Sequence, residues 1–162
     1  MSAVETGSRL PEECARPGSD LVVGTVFSRT IRVTDDLAAR HLVGQGVKTF
    51  STPEMIRFME RCVMDGLGPH LPPGHAGVGT HVDIRHLAPT PVGTDVTVTC
   101  TLVEIDRRRL TFVVEVRDTV EKIGQGRYEC FLVDRARQQK RLEAKLDRER
   151  TQGTASPSHE KG

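Results

Sequence analysis

Three polar side chains stand where the surrounding pattern favours apolar residues or a helix cap, and each has chemistry to offer. At roughly 100° per residue, Glu60 falls on the same side of a helix as Ile56, Val63, Met64 and Leu67. An ionised, unpaired carboxylate buried there would cost several kcal/mol. It therefore needs a partner or a function, unless it reaches solvent at the helix edge or bonds a sheet amide. His86 ends the segment THVDIRH and shares strand parity with Val82 and Ile84, which puts its ring on the apolar, helix-facing side. There an imidazole either moves protons near neutral pH or is a satisfied core residue. Thr52, just before Pro53, is the weakest of the three, because its context already explains it as an N-cap. Gly77 and Gly79 in GVGT allow close backbone approach to a carbonyl, with N–H groups serving as an oxyanion site. The same glycines can simply make a bulge. GVGT has neither the length nor the Lys of a phosphate loop and is not GxGxxG.

Metal chemistry has little support. His75, His81 and His86 are not at i, i+4 helical spacing and have no matched Cys ligands beside them. Cys14, Cys62, Cys100 and Cys130 form no C-x-x-C pair, and the last three lie in apolar-patterned segments, so they read as reduced structural thiols of a cytoplasmic protein.

The elements that must position these residues follow from periodicity and turn signals. Residues 21–33 are rich in Val, Thr and Ile and suggest a first strand, and Thr34 with Asp35 and Asp36 can cap a short helix running to Val43. The strongest helix signal opens at STPE, with Thr52 as N-cap and Pro53 in the first turn, or with Ser51 and Glu54 as a capping box. Met55, Ile56, Met59, Cys62, Val63 and Leu67 form one broad face of that helix, opposite Glu54, Arg57, Arg61 and Asp65. After GLGPHLPPGH, four segments alternate with a period of two between turn residues such as Pro91, Gly93, Asp106 and Gly124. They read as an antiparallel meander with one apolar and one solvated face. A single apolar helix laid across a one-sided sheet is an α+β arrangement, and the open sheet edges favour a homodimer.

With 162 residues, there is room for one core. Residues 1–19 and 151–162 read as disordered tails, 20–135 as the folded body and 136–150 as a charged, solvated helix. A net charge of +1 supplies no general field for nucleic acid or an anionic membrane. No run of apolar residues reads as a signal peptide or a membrane span.

The segments STPEMIRFMERC, LPPGHAGVGTHVDIRHLAPTPVGTDVTVTCTLVEIDRRRLTFVVEVRD and IGQGRYECFLVDR resemble consecutive parts of the fluoroacetyl-CoA thioesterase-like family of hotdog proteins, over most of residues 21–135. The resemblance implies a single hotdog domain that hydrolyses acyl-CoA or acyl-carrier thioesters, as a homodimer and without a cofactor beyond the CoA of its substrate. It assigns Thr52, Glu60 and His86 as the catalytic constellation and Gly79 as the glycine that contacts the thioester through its backbone. Two departures stand out. Where many relatives carry H-E-R this chain has Tyr128, Glu129 and Cys130, so Cys130 occupies the place of an Arg that helps position substrate. The stretch VGQGV, residues 43–47, lacks the aromatic residues of a fluoroacetate lid, so selectivity for fluoroacetate does not carry over. Two other readings are a non-catalytic acyl-thioester binder and a hotdog hydratase or dehydratase acting on an enoyl thioester.

Overall fold

The computed structural model describes residues 16–40, 44 and 46–153. Five strands, β1 (Val26–Arg32), β2 (His75–His86), β3 (Asp95–Asp106), β4 (Arg109–Arg117) and β5 (Lys122–Asp134), accompany two α-helices, α1 (Thr52–Leu67) and α2 (Arg135–Gly153). The strands form one antiparallel sheet in the order β1-β3-β4-β5-β2.

Alternation decides which face of the sheet is covered. Val96, Val98, Cys100 and Leu102 of β3 are buried, while Thr97, Thr99 and Thr101 between them stay partly exposed. Leu110, Phe112, Val114 and Val116 of β4 and Tyr128, Cys130 and Leu132 of β5 are buried as well. They join one core with the apolar stripe of α1, made of Met55, Phe58, Met59, Cys62, Val63 and Leu67. This is the expected α+β architecture of a helix packed on an antiparallel sheet.

Three expectations need correction. β2 does not continue the meander: it pairs with β5 and not with β3, so it forms a sheet edge. Residues 87–94 contain Pro89 and Pro91, which lack N–H groups and resist a tight hairpin. That segment instead meets residues 48–50, with a Thr49–Pro91 bridge and a Phe50 N–H donating to the Thr90 carbonyl at 2.8 Å. The helix expected from Thr34 shrinks to a 3-10 turn, Asp35–Leu37, because Ala38 is extended and bridges Phe50. Val43 lies outside the described residues. The first strand is shorter than 21–33, because Gly24 with φ +97° turns the chain ahead of Val26.

Ahead of β1, the Gly18 N–H donates to the His70 carbonyl at 2.7 Å. Asp134 caps α2 by accepting from the Arg137 N–H at 2.8 Å, and the helix is exposed along most of its length. Residues 1–15, which include Cys14, and 154–162 lie outside the described residues. Among the described residues, no helix is long and apolar enough to cross a membrane, and no cluster of His, Cys, Asp or Glu is arranged to hold a metal.

Candidate active site

The start of α1 settles which residue caps it. Ser51 is extended and accepts from the Glu54 N–H at 3.3 Å, making Ser51 the N-cap and Thr52 the first helical residue, with Pro53 next. The Thr52 hydroxyl is thereby free of capping and lies 2.8 Å from His86 Nδ1. Burial lowers the pKa of His86, which favours the neutral imidazole at pH 7. Its Nε2 is buried and makes no hydrogen bond of normal geometry among the described residues, although the Ala88 backbone nearby opposes part of the effect of burial on the ring. An orphan of this kind costs about 1–3 kcal/mol and would be relieved by an oxygen brought to it. Thr52 and His86 border an open groove of about 990 Å³, whose walls include Ala38, Ala39, Phe50 and Leu87.

Two turns further along α1, Glu60 is exposed, so of the alternatives left open by the sequence it is the one that reaches solvent at the helix edge. It reaches the helix edge beside β2, where its Oε1 accepts from the Tyr128 hydroxyl at 3.1 Å. Tyr128 is 2% exposed. Burial first, and the Glu60 charge second, push the pKa of the phenol well above its usual value, so it stays protonated as the donor.

Gly79 makes this pair possible. A Cβ there would lie 2.5 Å from the Tyr128 hydroxyl and 3.1 Å from Glu60 Oε1, and a Cβ at Gly77 would press on the Met64 sulfur at 2.9 Å. The bulge reading also holds, since the β2–β5 register shifts between Gly79 and His81. The extra residue switches strand parity, so odd-numbered Gly79 and even-numbered His86 face the same side. Cys130 sits opposite Gly79 in the ladder, fully buried, with burial pushing its thiol up to about 12.

The tertiary structure thus joins Thr52 to His86, and Glu60 to Tyr128 beside Gly79. No hydrogen bond links the two pairs among the described residues, and the eight-residue offset from Thr52 to Glu60 is about 12 Å of helix rise. Tyr128 is the member that sequence reasoning missed. A signal existed: it is the single tyrosine of the chain and shares parity with Cys130 and Leu132, so its hydroxyl had to find a partner inside.

The sequence profile of the fluoroacetyl-CoA-specific thioesterase matches residues 33–136. The fluoroacetyl-CoA thioesterase of Streptantibioticus cattleyicolor is 34% identical over 117 residues, covering 68% of this chain and 84% of that protein. This chain belongs to the fluoroacetyl-CoA-specific thioesterase family. A solved structure of a fluoroacetyl-CoA-specific thioesterase with one phenylalanine changed to alanine, in complex with fluoroacetate and CoA, is 32% identical. It covers 70% of this chain and 96% of its own, with a TM-score of 0.65. A hot-dog-like protein from Thermanaerovibrio acidaminovorans superposes with a TM-score of 0.71 over 76% of this chain and 91% of its own, and at 24% identity it speaks to the hotdog fold alone. The span matched by the fluoroacetyl-CoA-specific thioesterase family contains Thr52, Glu60, Gly79, His86, Tyr128 and Cys130 and leaves out nearly all of α2.

Proposed function

We propose that the protein hydrolyses acyl-CoA thioesters with Thr52, Glu60 and His86 as its catalytic groups. The observation that carries the reading is the Thr52–His86 hydrogen bond at the start of α1, beside a groove and with the second imidazole nitrogen unpartnered. Family membership supplies the reaction class.

The thioester carbonyl lies near the N-terminus of α1, where first-turn N–H groups and the helix dipole favour developing negative charge; Glu60 and the Gly79 backbone stand about 12 Å further along α1 in the same chain and reach this carbonyl from the second copy of a homodimer. Glu60, oriented by Tyr128, acts by one of two routes. As a nucleophile its carboxylate attacks the carbonyl carbon, the C–S bond breaks, CoA thiolate departs, and water then splits the anhydride to release the acid. As a general base it takes a proton from water, which attacks directly. In both routes neutral His86 relays the proton that ends on the thiolate, and Thr52 holds His86 in register. Cys130, enclosed opposite Gly79, contributes volume behind the site and no charge.

The open edge of β2, with Val82 44% exposed and Glu60 beside it, is the surface on which a second copy would pair to form a homodimer. Sedimentation equilibrium checks the dimer, and concentration-independent monomer at micromolar protein refutes it. Thiol release from a panel of acyl-CoAs tests the activity. Acyl-CoA binding without turnover across the panel would replace the hydrolase reading by that of a binding module, the reading that the loss of an Arg at position 130 favours.

A further inference from the structure

The groove beside Thr52 and His86 has apolar walls on both sides and more room than a two-carbon acyl group needs. On one side residues 37–39 run antiparallel to residues 49–51. Ala38 bridges Phe50, the Ala39 N–H donates to the Thr49 carbonyl at 2.8 Å, and the Ser51 N–H donates to the Leu37 carbonyl at 2.9 Å. On the other side Leu87 follows His86, with its N–H given to the Ile123 carbonyl at 2.8 Å and its side chain half exposed. The walls therefore present methyl and methylene groups, since their own donors are spent on neighbouring carbonyls. Alanine at 38 and 39 keeps the groove wide, at about 990 Å³. That is the upper end of the roughly 300–1,000 Å³ of sites that enclose drug-sized ligands. Charges stand at its rim in pairs of opposite sign, Arg57 3.5 Å from Glu54 and Arg40 near Asp36, so the rim exerts little net attraction on a carboxylate or a phosphate.

We propose that this groove selects a medium-chain apolar acyl group, with Leu87, Phe50 and the Ala38–Ala39 wall setting the preference. The substrate class rests on the acyl-CoA reading above; the apolar character of the groove does not. A hydrocarbon tail laid between these walls leaves water and asks for no hydrogen bond in return. The pantetheine arm is the competing occupant, but its amides carry donors and acceptors that the walls leave unmatched. Because the tail is remote from the reacting carbonyl, its burial stabilises the transition state relative to free enzyme and substrate, and the preference shows in kcat/KM.

The test is kcat/KM by thiol release across straight-chain acyl-CoAs from acetyl to decanoyl, combined with calorimetric titration of octanoyl-CoA, acetyl-CoA and free CoA. Full burial of one methylene is worth about fourfold, from about 0.8 kcal/mol at about 1.4 kcal/mol per decade. An open groove buries part of each, so kcat/KM should rise about twofold per methylene and level off once the groove is filled. Leu87→Ser, at a half-exposed position, should lower the octanoyl-to-acetyl ratio about fivefold. Ala39→Leu, which narrows the opposite wall, should lower the ratio as well, with thermal unfolding of both variants as the check on folding. Val120→Ser, exposed and outside the groove, should leave the ratio alone. A series that is flat or falls from acetyl onward while thiol is released overturns the acyl preference and leaves the hydrolase reading. A rise with chain length that Leu87→Ser leaves intact overturns the groove as its cause. If free CoA binding weakens in Leu87→Ser as much as octanoyl-CoA binding does, the groove belongs to the pantetheine arm and the proposal is overturned. Tighter binding of octanoyl-CoA than of acetyl-CoA, dependent on Leu87, in a protein that releases no thiol upholds the selectivity and removes the hydrolase reading.

Discussion

Tyr128→Phe isolates the bond that orients Glu60. The substitution deletes one hydroxyl from a side chain that is 2% exposed and keeps the ring that fills the core, so the fold has little to repack. A hydrogen bond to a charged group contributes about 1.5–3 kcal/mol. Two features place this one at the low end: its length of 3.1 Å exceeds the usual O–H···O distance, and Glu60 is exposed enough for solvent to compete. Taking about 1.5 kcal/mol, kcat/KM for the best acyl-CoA should fall by roughly tenfold. Stability should change by less than that, because the lost bond is offset by removal of a buried hydroxyl and Glu60 can hydrate. The decisive assay is a double-mutant cycle of Tyr128→Phe with Glu60→Gln, read as thiol release beside denaturant unfolding. If Tyr128 acts by positioning the Glu60 carboxylate, its tenfold effect should shrink toward unity once Glu60→Gln is already in place. Additive losses, or a Tyr128→Phe enzyme with unchanged kcat/KM, would refute the positioning role.

Glu60→Gln alone should lower kcat by roughly 10² to 10⁴, as expected for loss of a general base or nucleophile, with KM changed much less and melting temperature retained; unaltered kcat in a folded variant removes Glu60 from the mechanism. Ser51→Ala should destabilise the protein by about 1 kcal/mol through loss of the N-cap while sparing kcat, whereas Thr52→Val should keep stability and lower kcat, and calorimetry paired with kinetics separates the two. Burial lowers the pKa of His86, so the unfolded chain takes up its proton first as the solution is acidified. The stability from its neutral form is therefore present above about pH 6.5 and is lost as pH falls through the folded value. Denaturation midpoints from pH 8 to 5 should fall accordingly, and kcat/KM should show an acidic limb that His86→Gln removes.

The elements were legible in the sequence wherever a repeating pattern met a repeating geometry. Val96, Val98, Cys100 and Leu102 alternate because a strand places every second side chain on one face, and the STPE start of α1 can be recognised because orphan N–H groups at a helix end need a short polar acceptor. The family resemblance singled out Thr52, Glu60, Gly79 and His86 by spacing along the chain. Strand neighbours were beyond reach, since alternation specifies faces and not partners, and only the assembled sheet put β2 beside β5 at an open edge. That placement leaves Glu60 exposed, a choice that helical angle alone had left open. It also supplies Tyr128 as the partner of Glu60, with Gly79 leaving room for both. Side chains 68 residues apart meet through the packing of α1 against β5, a contact that no local pattern encodes.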